Sequence, residues 1–286
     1  MEVNEQISAQ RQLLKTRPHN RMKVKPLTKS AFVTRITLFS LAVLTIYAFF
    51  TFDYKDIDFV DAVLLTIANL KAMFFEPHLK HFTFSHAFYQ VFVTLGLAFL
   101  TTLFGAVIAV FLGLFAAENL SSKWISTMIK GFVAFIRAVP TVLWVLIFAV
   151  AAGLGSVAAV IGMTFHSVSY LIKAYSESFE ELDKGVIEAL QASGASFWQI
   201  VFQAVIPSSI TYMISWTFLR FEINFAVAVA MGAAAGAGGI GFDMFMASGF
   251  YLDIREIGAI TYFILAVAIL LEVFATKVKR KLKVNA

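Results

Sequence analysis

Apolar residues run without interruption, at lengths that cross a bilayer, near positions 33–52, 88–116, 130–152, 155–173, 208–231 and 257–276. A transmembrane helix needs about 20 mostly apolar residues. The pattern therefore predicts an all-α, polytopic membrane protein with about six transmembrane helices. The first run follows a polar stretch, has full length and precedes no small-residue cleavage site, so it reads as a retained helix and not a signal peptide. Gly153-Leu154-Gly155 is the only break recognised within 130–173, which leaves either helix there open to a re-entrant reading. Segment 53–85 is acidic at first (Asp53, Asp56, Asp58, Asp61) and then apolar. Its stretch 63–75 is too short to span, and a helix lying on the membrane surface is expected.

Composition sharpens this picture. The 286 residues are 59% hydrophobic and 14% charged, with 31 Phe and no Cys. Soluble domains are about 45–50% apolar and about 25% charged, so a soluble enzyme and a disordered tail are both excluded. Without cysteine there is no disulfide framework and no thiolate nucleophile. The net charge of +5 comes from two flanking clusters. One is Arg11, Lys15, Arg17, Arg21, Lys23, Lys25 and Lys29; the other is Lys277, Lys279, Arg280, Lys281 and Lys283. With the N-terminus inside, segments 1–35, 117–130, 173–207 and 277–286 hold 17 Lys/Arg, against 4 in 53–85, 153–155 and 232–256. That asymmetry follows the positive-inside rule and places both termini in the cytoplasm. Lipid then accounts for the basic clusters, and nucleic acid is not an expected partner.

Chemistry-bearing candidates are few. His78, His81 and His86 lie close together with Glu76 nearby, but the spacing matches no recognised zinc pattern and the segment reads as loop. Solvated histidines and no metal site are expected. Gly236, Gly238 and Gly241 formally satisfy G-x-G-x-x-G, yet that fingerprint needs a soluble strand–turn–helix unit. Five glycines between Gly232 and Gly241 are read instead, together with Gly239, as a close-packing or hinge segment.

The most informative polar interruption is 176–207. Ser178 with Glu181 forms one candidate capping box and Ser196 with Gln199 a second. Gly194 sits where a left-handed residue ends a helix, and Pro207 is expected to close the second helix while opening the next span. Val186, Ala189 and Leu190 form the expected apolar stripe. Two short capped helices bent around a glycine look like a docking element, since a plain connector is shorter.

These residues carry a resemblance. Glu188-Ala189-Leu190, Gly194 six residues after the Glu, and Ile206-Pro207 resemble the EAA loop of ABC importer permeases, with Leu190, Ala204 and Ile206 as departures. Arg137-Ala138-Val139-Pro140, Arg220-Phe221-Glu222-Ile223-Asn224 and Gly236-Ala237-Gly238-Gly239-Ile240-Gly241 are similar to the phosphonate-importer permease subfamily. The resemblance covers roughly 88–276. It implies a methionine-importer-type fold in the cell membrane, with 1–30 a basic cytoplasmic tail, 31–286 the permease domain, 53–85 extracytoplasmic and 176–207 a coupling loop. It implies that Glu188, Ala189, Leu190, Gly194, Ile206 and Pro207 engage a cytoplasmic ATPase dimer. It also implies a second permease chain, an extracytoplasmic binding protein, and a phosphonate, phosphite or phosphate cargo. Gly236, Gly238, Gly239 and Gly241 would then form an outer gate.

Arg220 lies near the midplane of its span, where a charge costs about 2.5–3.5 kcal/mol on insertion scales and must face protein or water. Glu222 is about 200° away around the helix, whereas Asn224 shares the Arg220 face. Glu222 needs another partner, Arg137 or a second subunit. Arg137, Arg220, Glu222 and Asn224 are thus candidate pathway residues for an anion, with a structural ion pair as the other reading. No G-x-x-x-x-G-K-[ST] phosphate loop is present. ATP and Mg are accordingly assigned to the partner ATPase, no cofactor to this chain, and no enzymatic activity is expected. A stand-alone ion-coupled transporter or channel using Arg137, Arg220 and Glu222 as a relay is the alternative. Such transporters show matched broken helices in two halves, and only one glycine-interrupted region is found.

Overall fold

A computed structural model describes residues 29–52 and 58–284, and the regular structure among the described residues is helical, without strands. Residues 1–28 of the basic tail and the acids Asp53 and Asp56 lie outside them. The chain divides into two units, 1–62 and 63–286. In the first, helix α1 (Lys29–Thr51) has no buried residue. Its run of Phe, Leu and Ile is long and apolar enough to span a bilayer.

Helix α2 (Phe59–Phe75) has the short apolar form expected of 63–75. Asp58 caps its start, its Oδ1 accepting from the amides of Val60 (2.8 Å) and Asp61 (3.1 Å). The second unit continues with α3 (Phe84–Ala116), α4 (Lys123–Ala138), α5 (Thr141–Ala152), α6 (Ser156–Glu180), α7 (Lys184–Ala192), α8 (Phe197–Ile200), α9 (Ile206–Ala235), α10 (Ile240–Gly249) and α11 (Ile254–Val284). Five helical runs are long and apolar enough to span, or six if α4 and α5 count as one broken span.

That break corrects the expectation of a continuous span over 130–152. The axes of α4 and α5 meet at 88°. Val139 is extended (φ −94°, ψ 123°) and Pro140 opens α5. The pyrrolidine ring disfavours helical geometry at the preceding residue, so the chain turns at Val139-Pro140. Arg137 therefore stands at a corner, not inside a span.

Helices α3, α6 and α9 form the core. Lipid gives helices no hydrophobic reason to associate, so close approach of backbones must do it. Accordingly, α3 presents the small residues Ala98, Gly105, Ala109 and Gly113 inward, all buried. A Cβ on Gly105 would sit 2.8 Å from the Cβ of Ser167 on α6. Large apolar side chains such as Phe99, Phe111, Leu270 and Phe274 point outward, as a lipid-facing surface requires.

At one end of this bundle the segment 76–86 is stapled to 243–256. The expectation of solvated loop histidines is corrected here, because each imidazole meets a carboxylate: His78 with Asp253 (2.9 Å), His81 with Glu256 (2.7 Å) and His86 with Asp243 (3.2 Å). Arg255 adds an ion pair to Glu76 at 2.8 Å. Burial pushes the Asp253 carboxyl up, but hydrogen bonds from His78 and from nearby backbone amides outweigh it and hold the group below its usual range. Glu256 has no exposed side-chain surface. Its Oε1 accepts from the amides of Lys80 (2.8 Å), His81 (2.8 Å) and Phe82 (3.3 Å). Removing this acceptor strands three amides, and each buried unsatisfied group costs about 1–3 kcal/mol. Glu256→Ala is expected to lower the thermal unfolding midpoint in detergent by roughly 5–10 °C, with Glu256→Gln intermediate. An unchanged midpoint would show that water replaces the carboxylate at no cost.

Candidate functional site

The segment 176–207 was legible as two capped helices, and the structure refines where they start and stop. Ser178 is buried inside α6, its hydroxyl donating to the Ala174 carbonyl at 2.8 Å. The first capping box therefore does not form, because α6 runs on to Glu180. Asp183 caps α7 instead, its Oδ1 accepting from the Gly185 amide at 2.9 Å. At the other end the Gly194 amide donates to the Gln191 carbonyl (2.9 Å) and the Ala195 amide to the Leu190 carbonyl (3.0 Å). This pair of bonds is a Schellman motif and requires a left-handed residue; Gly194 supplies it with φ +85°. The second capping box does form, with Gln199 Oε1 accepting from the Ser196 amide at 2.7 Å.

Pro207 does not close the second helix. Helix α8 continues through a π-helical turn, Val201–Val205, into α9. Here the Ile206 amide bonds to the Val201 carbonyl, five residues back. The wider turn lets the helix carry the proline, whose missing amide cannot serve the carbonyl four residues earlier. The Ser208 hydroxyl takes up the neighbouring Ala204 carbonyl at 2.6 Å.

The apolar stripe of α7 also differs from expectation. Ile187 is buried and Leu190 packs beside it against Ile200, Val201 and Phe179, which fixes α7 to the bundle. Val186, Glu188, Ala189 and Gly194 are exposed. Of the six loop residues singled out, Leu190 and Ile206 thus anchor the loop, while Glu188, Ala189, Gly194 and Pro207 face outward.

The intramembrane candidates separate in the same way. Arg220 is 3% exposed and Asn224 fully buried. Arg220 Nε donates to Ser167 Oγ (3.1 Å), and Nη2 lies 3.3 Å from His166 Nδ1. Its guanidinium carbon stands 5.1 Å from the centre of the Tyr170 ring. Ser167 in turn donates to Asn224 Oδ1 (3.1 Å), and Asn224 Nδ2 donates to Thr102 on α3 (2.8 Å). One polar layer therefore ties α3, α6 and α9 together, with Arg220 and Asn224 on a shared face. No carboxylate pairs with Arg220 among the described residues. Its charge is met only by a hydroxyl, an imidazole and a ring face. Glu222 is half-buried and takes part in none of these bonds.

Arg137 is exposed and likewise has no carboxylate within ion-pair distance among the described residues. It lines a cavity of about 470 Å³ between α4 and α6, together with Lys130, Lys173, Glu177 and Glu180. Lys130 is neutralised there by Glu118 (2.8 Å) and Glu180 (3.1 Å). The Lys130 ammonium holds the Glu118 carboxyl below its usual range.

The glycine segment is a packed turn at the end of α9 opposite α7. Gly236 caps α9 with φ +61°. A Cβ on Gly239 would overlap Thr94 Oγ1, and one on Gly241 would overlap the Val229 carbonyl. The Thr94 hydroxyl accepts from the Ile240 amide at 3.0 Å. Close packing thus accounts for these glycines at Gly239 and Gly241.

Sequence reasoning missed His166, Ser167, Tyr170 and Trp216. The available signal was the cluster of polar atoms at 166–170 inside an apolar run. His166, Tyr170 and Lys173 recur at helical spacing on one face of α6. The carboxylates at the histidines lie about 160–180 residues away in sequence, and no local pattern reveals them.

Comparison with known proteins agrees with this architecture. The family model for the binding-protein-dependent transport system inner membrane component matches residues 109–283. The Phosphite transport system permease protein PtxC of Stutzerimonas stutzeri is 33% identical over 148 residues, covering 52% of this chain and 53% of PtxC. The Phosphate-import permease protein PhnE of Mycolicibacterium smegmatis is 28% identical over 156 residues, covering 53% and 29%. The chain thus spans about half or less of the length of these curated relatives. Among solved structures, an inward-facing MetNI methionine ABC transporter aligns with a TM-score of 0.60 at 20% identity, covering 68% of this chain and 95% of that one. At that identity the likeness concerns the fold, which is of the methionine-importer type. The apolar helices are those of a multi-pass cell-membrane protein. With the match extending over more than half its length, the chain belongs to the family of inner membrane components of binding-protein-dependent transport systems.

Proposed function

We propose that this chain is the transmembrane permease subunit of an ATP-driven importer that carries a phosphorus oxyanion into the cell. The observation that carries the importer reading is the loop around Gly194. It is a rigid two-helix element, anchored through Ile187 and Leu190, with Glu188, Ala189 and Gly194 turned outward. A surface of this kind suits the groove of a cytoplasmic ATPase, whose dimer would bind ATP and Mg and whose closure would move the loop. Two permease chains would line the path, and a binding protein would deliver cargo at the opposite end, beside the 236–241 turn. Rigid-body rocking would then alternate access, with that turn at the outer mouth.

Arg220 and the named relatives support the choice of cargo. A buried arginine without a carboxylate partner among the described residues leaves its charge for a visiting anion, and a guanidinium fork matches phosphorus oxyanions. Brief binding is sufficient, because a trap would slow release. The ion-coupled alternative needs Arg220, Arg137 and Glu222 in one relay, and Glu222 stands apart from both arginines.

Affinity purification of the chain from its host tests the assignment. An ATPase bearing a Walker motif is expected to copurify. Recovery of the chain without any ATPase, under conditions where the bundle stays folded, would contradict it.

A further inference from the structure

Beside Arg220 lies a small cavity to which no role has been given. It measures about 140 Å³ and is lined by Arg137, Tyr170, Lys173, Ala174, Glu177 and Trp216. Tyr170 joins it to the buried site, since the same ring carries the Arg220 guanidinium at 5.1 Å. Trp216 lies one helical turn before Arg220 on α9 and meets Tyr170 edge-on, with centroids 6.2 Å apart. The cavity shares Arg137, Lys173 and Glu177 with the larger one of about 470 Å³, which reaches Lys130 and Glu180 near the α7 loop. Two adjoining spaces thus run from the Tyr170 ring, whose face meets the Arg220 guanidinium, toward the loop end.

The cations along it differ in how far they are neutralised. Arg220 is buried with no carboxylate partner among the described residues, where charge acts most strongly. Arg137 is exposed, also without one among them. Lys173 has Glu177 at 3.7 Å, and Lys130 is flanked by Glu118 and Glu180. Attraction for an anion therefore falls step by step toward the loop end. From this gradient we infer that the Arg137–Tyr170–Trp216 cavity is a second station, which takes a small oxyanion from Arg220 and releases it toward the loop. Its volume is below the roughly 300–1,000 Å³ of pockets for drug-sized ligands. It suits a compact tetrahedral ion such as phosphite or phosphate.

The station rests on the reading of the chain as an oxyanion permease, and the test separates the two. The full complex, with its ATPase and binding protein, is reconstituted in liposomes. Uptake of radiolabelled phosphite and ATP hydrolysis are then measured together. Arg137→Gln is expected to keep stimulated ATP hydrolysis while moving about tenfold fewer anions per ATP, with Arg137→Lys restoring most of the loss. Glu177→Gln, which frees Lys173, should lower both KM and turnover because release becomes harder. Unchanged anions per ATP in Arg137→Gln would overturn the station alone. Joint loss of ATP hydrolysis and uptake, without rescue by lysine, would make Arg137 structural and overturn it as well. A wild-type complex that carries no phosphorus oxyanion would overturn the reading on which the station stands.

Discussion

Arg220→Ala is expected to reduce kcat/KM for uptake by about 100-fold or more, corresponding to roughly 3 kcal/mol. Arg220→Lys should lose only about tenfold, because the charge survives and the planar fork does not. The guanidinium meets Ser167, His166 and the Tyr170 ring, and no carboxylate among the described residues. A purely structural arginine in that position would be a poor choice. A buried charge costs several kcal/mol, and no carboxylate among the described residues repays that cost. The two roles therefore predict opposite results for Arg220→Met. If the residue binds cargo, the protein stays folded and uptake is lost. Wild-type uptake by folded Arg220→Met would show that the charge is dispensable. Initial rates of labelled phosphite uptake, with melting in detergent as the control, decide between them.

Gly194→Asp is the second large effect, expected to abolish ATPase copurification and uptake while leaving membrane insertion intact. A Cβ at Gly194 meets nothing within 4 Å among the described residues, so no clash with them explains a loss. What remains is the backbone, held at φ +85°, and whatever docks on the outer face. A left-handed conformation costs most L-residues roughly 1–2 kcal/mol, with Asn and Asp suffering least. The strain in Gly194→Asp is thus small, and its charge and bulk at the contact carry the effect. Gly194→Asn should keep more association than Gly194→Asp, and Gly194→Val, which adds backbone strain to bulk, should recover no more ATPase than Gly194→Asp. Equal, wild-type recovery of the ATPase by all three would remove the docking role from this loop.

Several features of the site were legible because their causes are local. The Ser196–Gln199 box and the glycine bend depend on residues three to six apart, and both form. Where the local signal failed, a longer-range contact or a neglected proline won. Ser178 resembles a cap, but the buried packing of Tyr175 and Phe179 keeps α6 helical through that point. Asp183 then takes the capping position. The stripe on α7 was displaced by one residue, because Ile187 and not Val186 finds the bundle. The corner at Val139-Pro140 was encoded plainly, since a proline within an apolar run constrains the residue before it. Pro207 posed the same hazard and was absorbed by a π-helical turn, an outcome that depends on packing and not on the dipeptide. The histidine–carboxylate staples were illegible for another reason. His81 and Glu256 are brought together only when α2, α3 and α11 assemble.

The polar layer shows both sides of this. The spacing of Arg220 and Asn224 placed them on one face, and both reach Ser167. Glu222 was assigned a partner by charge balance, and within the described residues none is found.

The central claim is that movement of an oxyanion through this chain is driven by ATP. Its most direct test is uptake of radiolabelled phosphite into liposomes containing the purified complex, with and without ATP and Mg on the side of the α7 loop. Accumulation that requires ATP, the ATPase and the binding protein together is the predicted result. Equal flux without ATP, following an imposed ion gradient and persisting in Gly194→Asp, would contradict it.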